Sequence, residues 1–476
     1  MSNVKELLKN GLSEEVRAIL KLAGEIGDLS EVKVYAVGGI VRDLFLGNFI
    51  NDVDIMVVGD GIEFAKRLSK KLRVPKIVPF EKFGTAIIPY QSIGIEIASA
   101  RKEVYNDVSR KPKDVFFTDI NGDLKRRDFT INSMAIDVTS QNFGEFHDPF
   151  GGLIDLKKKL IRTPLNPNMT FSDDPLRMMR AAYFSSKLKF YIEENSMRSM
   201  KEHFHRIEIV SWERIRDEFF KILSTSIPSR GLTILEETGI LKIIFPEIHV
   251  MYGMDQTSEW HHKDIFDHTM QVVDNVAQLS DKMELRFAAL VHDIAKPITR
   301  RIDKKKGYTF HGHDAVGERM ISKVADRMKL SKKLSNYLKK LTLLHLRPIA
   351  LVKSHVTDSA VRRLMVAAGD DLDDLMTLCR GDITTKNPKK VSRYMSNFSA
   401  VEKKMSDVSE RDAMKSFQSP IRGHEIMKIC DLEEGPKIGE IKKEIERAIL
   451  DYTIGNNYDD AKAYLIKIKN KINGNI

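Results

Sequence analysis

Cysteine is nearly absent from this chain, since only Cys379 and Cys430 occur among its 476 residues. Two cysteines supply neither a disulfide framework nor a cysteine-based zinc site. Long hydrophobic runs are absent too: no stretch approaches the roughly 20 apolar residues of a transmembrane helix. The N-terminal sequence MSNVKELLKN lacks the apolar core of an export signal, so we expect no export. These absences exclude disulfide-rich and membrane-spanning classes and predict a protein of the reducing cytoplasm.

The composition is that of a soluble globular protein, with 42% hydrophobic and 30% charged residues. A chain of 476 residues is too long for one compact core. We therefore expect about three or four domains. The formal net charge of +10 favours a polyanionic partner.

The predicted elements change in kind along the chain. Between residues 33 and 137 strands and helices alternate, with the strand-like segments KVYAVGG, VDIMVV, KIVPF, FGTAIIPY and IGIEIAS and the helical segment GIEFAKRLSKKL. After Asp155 the pattern is helical almost to the end, with breaks at Pro228 and Pro246. The sequence therefore predicts an α+β protein, in which a small mixed sheet precedes a mostly α-helical remainder.

A glycine pair and an aspartate pair mark the first two strands. Gly38 and Gly39 separate a predicted strand from a predicted helix, where backbone N–H groups can approach a phosphate. Asp52 and Asp54 are two residues apart on the next strand, so their side chains project from one face. Neighbouring carboxylates repel unless a cation lies between them, and Mg²⁺ prefers oxygen ligands. The two pairs predict metal-dependent phosphate chemistry, although a tight turn and a solvated acid pair explain each one separately.

Four segments resemble motifs of a known family: GGIVRDLFLG, NDVDIMV, RRDFTIN and SDDPLRMMR. With them the chain resembles class II tRNA nucleotidyltransferases and bacterial poly(A) polymerases, within the DNA polymerase β-like nucleotidyltransferase superfamily. The resemblance implies four domains, namely a nucleotidyltransferase head at 1–155, a helical neck at 156–254, an HD metal-dependent phosphohydrolase-like domain at 255–385 and a helical tRNA-binding tail at 386–476.

The resemblance also implies roles for residues of the head. Glu96 alternates with isoleucines on a predicted strand, and the family pattern makes it a third catalytic acid beside Asp52 and Asp54. Arg101, Arg110 and Lys111 are expected near triphosphate, with solvated charges as the alternative. The implied nucleotide-binding residues of the head are Gly38, Gly39, Arg42, Asp43, Arg127, Asp128 and Asn132.

The neck segment Ser172–Arg180 is expected to begin a helix, capped by Ser172 or Asp173 and with Pro175 in its first turn. Asp174 and Arg177 are then three residues apart on one helix face, where a salt-bridged cap is the plain interpretation. The resemblance instead implies that this motif reads the incoming base. A carboxylate can accept from the amino group of cytosine or adenine while a guanidinium donates to the ring nitrogen. The implied base-reading residues are Asp173, Asp174, Arg177 and Arg180.

A histidine-rich region resembles the HD metal-dependent phosphohydrolases. His292 and Asp293 are adjacent at the end of the apolar helix LRFAALV, so both can enter one cavity. Imidazole and carboxylate ligands suit Mn²⁺, Ni²⁺, Fe²⁺ or Zn²⁺, and Mg²⁺ is a further candidate. The implied ligands are His268, His292, Asp293, His313, His345 and Asp382.

The leading hypothesis is a CCA-adding tRNA nucleotidyltransferase that uses tRNA, CTP and ATP, with Mg²⁺ in the head and no evident obligate protein partner. A poly(A) polymerase and an enzyme that adds only CC or only A are the alternatives. A third alternative, from a different reaction class, makes the HD region the main activity, as a phosphohydrolase for cyclic phosphates or nucleotides; under the leading hypothesis this would be a side activity. In the tail, residues 435–442 place glycines and lysines before a helix, which suits either an RNA phosphate or an ordinary helix start.

Overall fold

The structure is a computed structural model that describes residues 4–106, 109–254, 264–305, 307–351, 357–385, 387–412 and 419–472. For 103–106, 109–115, 409–412 and 470–472 it describes the backbone alone. The chain divides into two compact units, Met1–His249 and Val250–Ile476. The finer division into head, neck, HD domain and tail stays a prediction.

A seven-stranded mixed sheet forms the centre of the first unit, in the order β3-β4-β5-β2-β1-β8-β9. Within it β2 and β5 are parallel, and the other neighbouring strands are antiparallel. The predicted mixed sheet is thus confirmed. The strands of this unit are β1 (Val34–Val37), β2 (Asp52–Val57), β3 (Val78–Phe80), β4 (Thr85–Tyr90), β5 (Ile93–Ser99), β6 (Arg101–Asn106), β7 (Ser109–Phe117), β8 (Ala135–Asp137), β9 (Phe146–His147), β10 (Leu160–Ile161) and β11 (Tyr191–Ile192).

The register of β2 against β5 places two acids side by side. Asp54 pairs with Glu96, and Asp52 pairs with Gly94. Because successive side chains of a strand point to opposite faces, Val53 and Ile55 turn away from the acids and are buried in the hydrophobic core beneath the sheet. That apolar burial fixes which face carries the carboxylates, since a slip of one residue would bury them.

The helices of the first unit surround the sheet and continue beyond it. They are α1 (Val4–Gly11), α2 (Glu14–Leu29), α3 (Gly39–Leu46), α4 (Gly61–Lys71), α5 (Ile120–Lys125), α6 (Gly152–Lys158), α7 (Pro167–Asp173), α8 (Leu176–Leu188), α9 (Glu194–His203), α10 (Trp212–Leu223), α11 (Pro228–Glu237), α12 (Ile240–Ile244) and α13 (Pro246–His249).

The start of α8 differs from the expectation. Ser172 and Asp173 are not N-caps, because they form the last turn of α7. Asp174 takes the capping role, since its carboxylate accepts a hydrogen bond from the Leu176 N–H at 3.2 Å. The chain bends between two helices here because Pro175 disfavours a helical conformation of the residue before it.

The second unit is almost entirely helical. Helix α14 packs against α15 and α21, and α15 also packs against α18. A separate isoleucine-rich core joins the last three helices. The elements are α14 (Ile265–Leu279), α15 (Met283–Val291), α16 (Lys296–Thr299), β12 (Arg301–Asp303), β13 (Gly307–Thr309), α17 (His313–Arg327), α18 (Lys332–Leu344), α19 (Leu346–Leu351), α20 (Asp358–Ala368), α21 (Leu372–Gly381), α22 (Pro388–Asp412), α23 (Gly423–Cys430), α24 (Pro436–Leu450) and α25 (Tyr458–Ile472).

None of the helices in the described part of the chain combines the length and apolar character that a membrane crossing requires.

Candidate functional site

A cavity of about 470 Å³ in the first unit brings together most of the predicted residues. Seven cationic and four acidic side chains line it, so it favours an anionic ligand. The predicted residues that line it are Gly38, Gly39, Arg42, Asp54, Glu96, Arg101, Arg127, Asp128, Asn132, Asp174, Arg177 and Arg180. Asp43, Asp52 and Asp173 are not among the lining residues. The side chains of Arg110 and Lys111 lie outside the described part of the structure.

The carboxylates of Asp54 and Glu96 share one end of the cavity. Burial raises the pKa of Asp54, and the neighbouring Asp52 raises it further. Burial and the charge of Asp54 likewise raise the pKa of Glu96. Asp52 lies beside Gly94, since a Cβ atom added to Gly94 would be 3.1 Å from Asp52 Oδ1. Acids on one face of the sheet that disfavour each other's charge form a donor set that fits a hard divalent cation.

The sequence predicted that the N–H groups of Gly38 and Gly39 face a phosphate, but the structure shows a different role for the two glycines at this end of the cavity. The Gly38 N–H donates to the Met134 carbonyl at 3.2 Å, and the Gly39 N–H donates to the Asp54 carboxylate. Both groups are therefore bonded within the protein in this structure. Gly38 has a φ of +72°, and a Cβ there would be 2.7 Å from Arg127 Nη1. The missing side chain makes room for that guanidinium.

Two partly buried acid–arginine pairs build the wall next to α8. The Arg42 guanidinium makes a paired contact with Asp43, at 3.1 and 2.7 Å, and its Nη1 donates to Asn132 Oδ1 at 2.6 Å. Asp43, although outside the lining, thus holds Arg42 in place. Asp128 accepts from Arg180 Nε at 2.8 Å and from Asn132 Nδ2 at 3.0 Å. Burial is the largest influence and would raise the pKa of Asp128, but the charges and hydrogen bonds of Arg180 and Asn132, with the charge of Arg177, together lower it.

A buried acid that the sequence interpretation missed holds the two arginines of the RRDFTIN segment. Asp123 Oδ1 accepts from Arg126, and Asp123 Oδ2 accepts from Arg127. Asp123 precedes these arginines by three and four residues, which is the spacing of neighbours on a helix. That spacing was the available signal, although it is shared by many surface pairs.

The acid and the guanidinium of the neck motif open into the same cavity as Asp54. Asp174 ends the turn before α8, and Arg177 is in its first turn. Arg177 Nη2 donates to the Arg126 carbonyl at 2.7 Å, which fixes the guanidinium against the head. Asp173, one residue earlier, ends α7 and does not line the cavity.

Helix α8 contributes three further lining residues that the sequence interpretation missed: Tyr183, Phe184 and Lys187. Phe184 follows Arg180 by four residues, and Lys187 follows Phe184 by three, so they continue one helical stripe. The Phe184 ring lies 5.2 Å from the Arg42 guanidinium carbon and 5.3 Å from that of Arg180. This helical spacing could have extended the predicted site beyond the motif.

The second unit brings all six predicted HD residues into one buried cluster. They form two groups whose ligand atoms lie within 4.8 Å of one another, His268 with His292 and Asp382, and Asp293 with His313 and His345. Asp293 connects the groups, because its Oδ2 is 3.1 Å from His292 Nε2 and its Oδ1 is 3.2 Å from His313 Nε2. Lys296 Nζ also contacts Asp293 Oδ2, at 2.6 Å.

The hydrogen bonds of the imidazoles orient their Nε2 atoms toward the cluster. Nδ1 of His292, His313 and His345 bonds a backbone carbonyl at 2.6–2.7 Å, and Nδ1 of His268 lies 3.0 Å from Thr384 Oγ1. An imidazole that donates from Nδ1 presents the lone pair of Nε2. The Nε2 atoms of His268 and His292 face carboxylates, with His268 Nε2 3.0 Å from Asp382 Oδ1 and His292 Nε2 3.1 Å from Asp293 Oδ2. The residues present therefore fit divalent metal ions, held in one or two sites.

Three family models match the chain. They are the poly A polymerase head domain over residues 34–162, the probable RNA and SrmB-binding site of polymerase A over residues 189–251, and the HD domain over residues 265–372. Together with the mixed sheet and the acid-lined cavity, they define the class as a nucleotidyltransferase head followed by an RNA-binding segment and an HD domain.

Individual relatives narrow the class. The multifunctional CCA protein of Vibrio campbellii is 35% identical over 309 residues, which are 63% of this chain and 71% of the relative. The A-adding tRNA nucleotidyltransferase of Deinococcus radiodurans is 30% identical over 346 residues, which are 69% and 75% of the two chains. The solved apo form II of a CCA-adding enzyme aligns with a TM-score of 0.63 and 25% identity, covering 100% of this chain and 99% of that chain. The chain belongs to the tRNA nucleotidyltransferase family that contains these CCA- and A-adding proteins, which confirms the resemblance found in the sequence.

Proposed function

We propose that this chain is a CCA-adding tRNA nucleotidyltransferase, which transfers CMP and AMP from CTP and ATP to the 3′ end of tRNA and releases pyrophosphate without a nucleic acid template. The names of its relatives support this assignment. One observation carries it: the acids Asp54 and Glu96 line the same cavity as Asp174 and Arg177. A cavity of this kind accommodates the phosphates and the base of one nucleotide together.

At the acid end, the tRNA 3′-hydroxyl attacks the α-phosphate of the nucleotide. Asp52, Asp54 and Glu96 would hold Mg²⁺, which when bound would activate this hydroxyl and stabilise the leaving oxygens. Arg127 has the planar fork that suits triphosphate oxygens, and its Nη1 lies beside Gly38 next to Asp54. Arg42, held by Asp43 and Asn132, adds a second cation.

At the other end, Asp174 and Arg177 select the base. Cytosine and adenine each present an amino donor beside a ring nitrogen acceptor, which complements a carboxylate beside a guanidinium. Uracil and guanine reverse both polarities and would set Asp174 and Arg177 against like groups, which is costly. Arg180, fixed by Asp128, extends this wall along α8. Asp173 ends α7 and does not line the cavity, so we assign the base contact to Asp174.

In the second unit we assign a metal-dependent phosphohydrolase side activity on cyclic phosphates or nucleotides. His268, His292, Asp293, His313, His345 and Asp382 would hold Mn²⁺, Ni²⁺, Fe²⁺, Zn²⁺ or Mg²⁺, which when bound would activate water for attack on phosphorus. The two groups of three imidazole or carboxylate ligands, each with its ligand atoms within 4.8 Å of one another, support this assignment. A tRNA substrate also implies a cytoplasmic protein, with the residues from 386 onward as a tRNA-binding tail.

The test is a product ladder. Purified protein receives a tRNA that lacks CCA together with each labelled nucleoside triphosphate, separately and combined. We expect CTP to extend this tRNA by two residues and ATP to complete it, while Asp52→Ala and Asp54→Ala lose transfer and the exposed-acid control Glu63→Gln keeps it. Incorporation of UTP or GTP as readily as CTP would reject the base-reading assignment.

The same ladder separates the alternative enzymes. Long products from ATP and an unstructured RNA indicate a poly(A) polymerase. Addition that stops after CC, or that requires a tRNA already ending in CC, indicates one of the partial enzymes. Either outcome replaces the CCA-adding assignment.

A further inference from the structure

Asp123 is a fully buried carboxylate that lies between two guanidinium groups of the cavity. It is 0% exposed. Its Oδ1 accepts from Arg126 Nη2 at 2.6 Å and Nε at 3.0 Å, and its Oδ2 accepts from Arg127 Nη2 at 3.0 Å and Nε at 3.1 Å. The Arg101 N–H also donates to Oδ1 at 3.3 Å. Both oxygens are therefore engaged, and each serves a different arginine.

The Arg127 contact reaches the acid end of the cavity. Asp123 holds Nε and Nη2, which leaves Nη1 directed to the position where a side chain on Gly38 would lie. The charge of Arg127 acts on Asp54 and on Glu96, since it offsets part of the rise that burial gives to the pKa of each. The orientation of Arg127, and with it the positive charge beside the acids, depends on Asp123.

The Arg126 contact reaches the base-reading end. While Asp123 holds the Arg126 side chain, the Arg126 backbone carbonyl accepts from Arg177 Nη2 at 2.7 Å. This is the one protein hydrogen bond of the Arg177 side chain among the described residues. A shift of the Arg126 backbone would therefore move the guanidinium that faces the base.

We propose that Asp123 is a positioning residue that sets the phosphate-binding Arg127 and the base-reading Arg177 at once, and so couples the rate of transfer to the choice of nucleotide. The inference rests on the proposed function. An asparagine in its place offers one acceptor oxygen instead of two, so it can satisfy only one of the two arginines and turns an N–H group toward the other.

The experiment compares Asp123→Asn, Asp123→Glu and the matched control Asp119→Asn, which changes an exposed acid just before the same helix. Single-nucleotide addition to a tRNA ending in CC gives kcat and KM for ATP and for GTP. We expect Asp123→Asn to lower kcat/KM for ATP by about a hundredfold, in the range found for loss of a preorganised charged contact. We also expect the preference for ATP over GTP to fall by about tenfold. Asp123→Glu should retain part of the wild-type kcat/KM for ATP and part of the preference for ATP. Asp119→Asn should match the wild type in both quantities.

A second pair of variants separates the two routes. Arg126→Met removes the side-chain partner of Oδ1 and leaves the contact of Oδ2 with Arg127 in place, so it should lower the preference for ATP more than it lowers kcat. Because Asp123 acts on the preference through Arg126, adding Asp123→Asn to Arg126→Met should reduce the preference no further, whereas independent effects would add.

Calorimetric titration of ATP and GTP into each variant, without tRNA, measures nucleotide affinity independently of transfer. It therefore distinguishes failure of the proposed function from failure of the positioning role. A wild-type protein that adds no nucleotide rejects the proposed function, and the ATP/GTP affinity ratio of Asp123→Asn still tests the positioning role. An Asp123→Asn protein with an unchanged ratio and unchanged kinetics overturns the inference alone. A loss of activity that only follows the folded fraction, measured by circular dichroism, with an unchanged ratio, also overturns it.

Discussion

At the scale of single residues, Gly38 offers the sharpest test of the acid end of the cavity. Its φ of +72° disfavours any side chain, and a Cβ would approach Arg127 Nη1 to 2.7 Å. We expect Gly38→Ala to cost about 1–2 kcal/mol of folding free energy from the backbone alone. Because Arg127 must also move, we expect transfer to fall by about a hundredfold. Denaturant unfolding and single-turnover transfer measure the two effects.

Gly47 supplies the matched control for this prediction. It has a similar φ of +68°, but a Cβ there would have no neighbour within 4 Å. Gly47→Ala should therefore show the backbone cost without the loss of transfer. Equal transfer rates in the two variants would contradict a role for the space beside Gly38.

The buried charge of Asp128 predicts how folding stability depends on pH. Burial opposes its charge, but Arg180, Asn132 and the more distant Arg177 together lower its pKa. A carboxylate with a lowered folded-state pKa adds stability that is fully present above its unfolded-state pKa of about 3.9 and is lost as the pH falls through the folded-state value. We expect Asp128→Asn to lower the unfolding free energy by about 1–3 kcal/mol near neutral pH.

The difference in unfolding free energy between wild type and Asp128→Asn should shrink as the pH falls below about 4. In that range the carboxylate of the unfolded wild-type chain binds a proton while the folded one does not, which favours unfolding. Urea unfolding over a series of pH values measures this difference. A difference that stays constant down to acid pH would show that the charge of Asp128 is not what stabilises the wall.

Residue spacing predicted the site only where the contacts are local in sequence. The base-reading role of Asp174 and Arg177 came from the resemblance, but the faces on which Asp54 and this pair lie could be found from strand and helix periods. The bond between Arg177 and the Arg126 carbonyl could not, because it joins residues 51 positions apart. The bonding of the Gly38 and Gly39 N–H groups within the head also depends on tertiary packing that a motif does not contain.

At the scale of elements, α8 is the helix on which the nucleotide wall depends. Phe184 lies between two guanidinium groups and packs edge-to-face on Phe129 at 5.8 Å. We expect Phe184→Leu to lower the unfolding free energy by about 1–2 kcal/mol, because it keeps apolar volume but removes the ring face beneath two cations. KM for ATP should rise because Arg42 and Arg180 lose their support. Thermal unfolding and steady-state kinetics measure the two effects.

Phe190→Leu is the control for Phe184→Leu, since Phe190 is also buried but does not line the cavity. It should lower stability without a change in KM. If Phe184→Leu and Phe190→Leu have a similar KM for ATP, Phe184 does not contribute to nucleotide binding.

Elements with a clear period were predicted well, and their junctions were not. Alternation gave β5 over residues 93–99, which the structure confirms. The start of α8 was predicted one turn early, because Ser172 and Asp173 resemble caps while α7 already occupies them. The presence of a cap residue does not show where the preceding helix ends, since tertiary packing decides how far α7 continues.

At the scale of the whole molecule, each candidate site is complete within one compact unit. The cavity residues all precede His249, and the HD cluster lies between His268 and Asp382. The sequence predicted both groups by resemblance, including Asp382, which is 114 residues after His268 and has its Oδ1 3.0 Å from His268 Nε2. Spacing alone could not have joined them.

We therefore expect the two activities to separate by mutation. Asp54→Asn should lower nucleotide transfer by at least about a hundredfold while leaving the metal-dependent rise in melting temperature. His292→Ala should reduce that rise, since a metal bound only to the folded state stabilises it, and should abolish hydrolysis of 2′,3′-cyclic AMP while transfer continues. Differential scanning calorimetry with Mn²⁺, Ni²⁺ or Zn²⁺, together with the tRNA assay, measures both. If His292→Ala lowers transfer as much as Asp54→Asn in a protein whose circular dichroism is unchanged, the HD cluster belongs to the transfer reaction and the assignment of two independent sites is wrong.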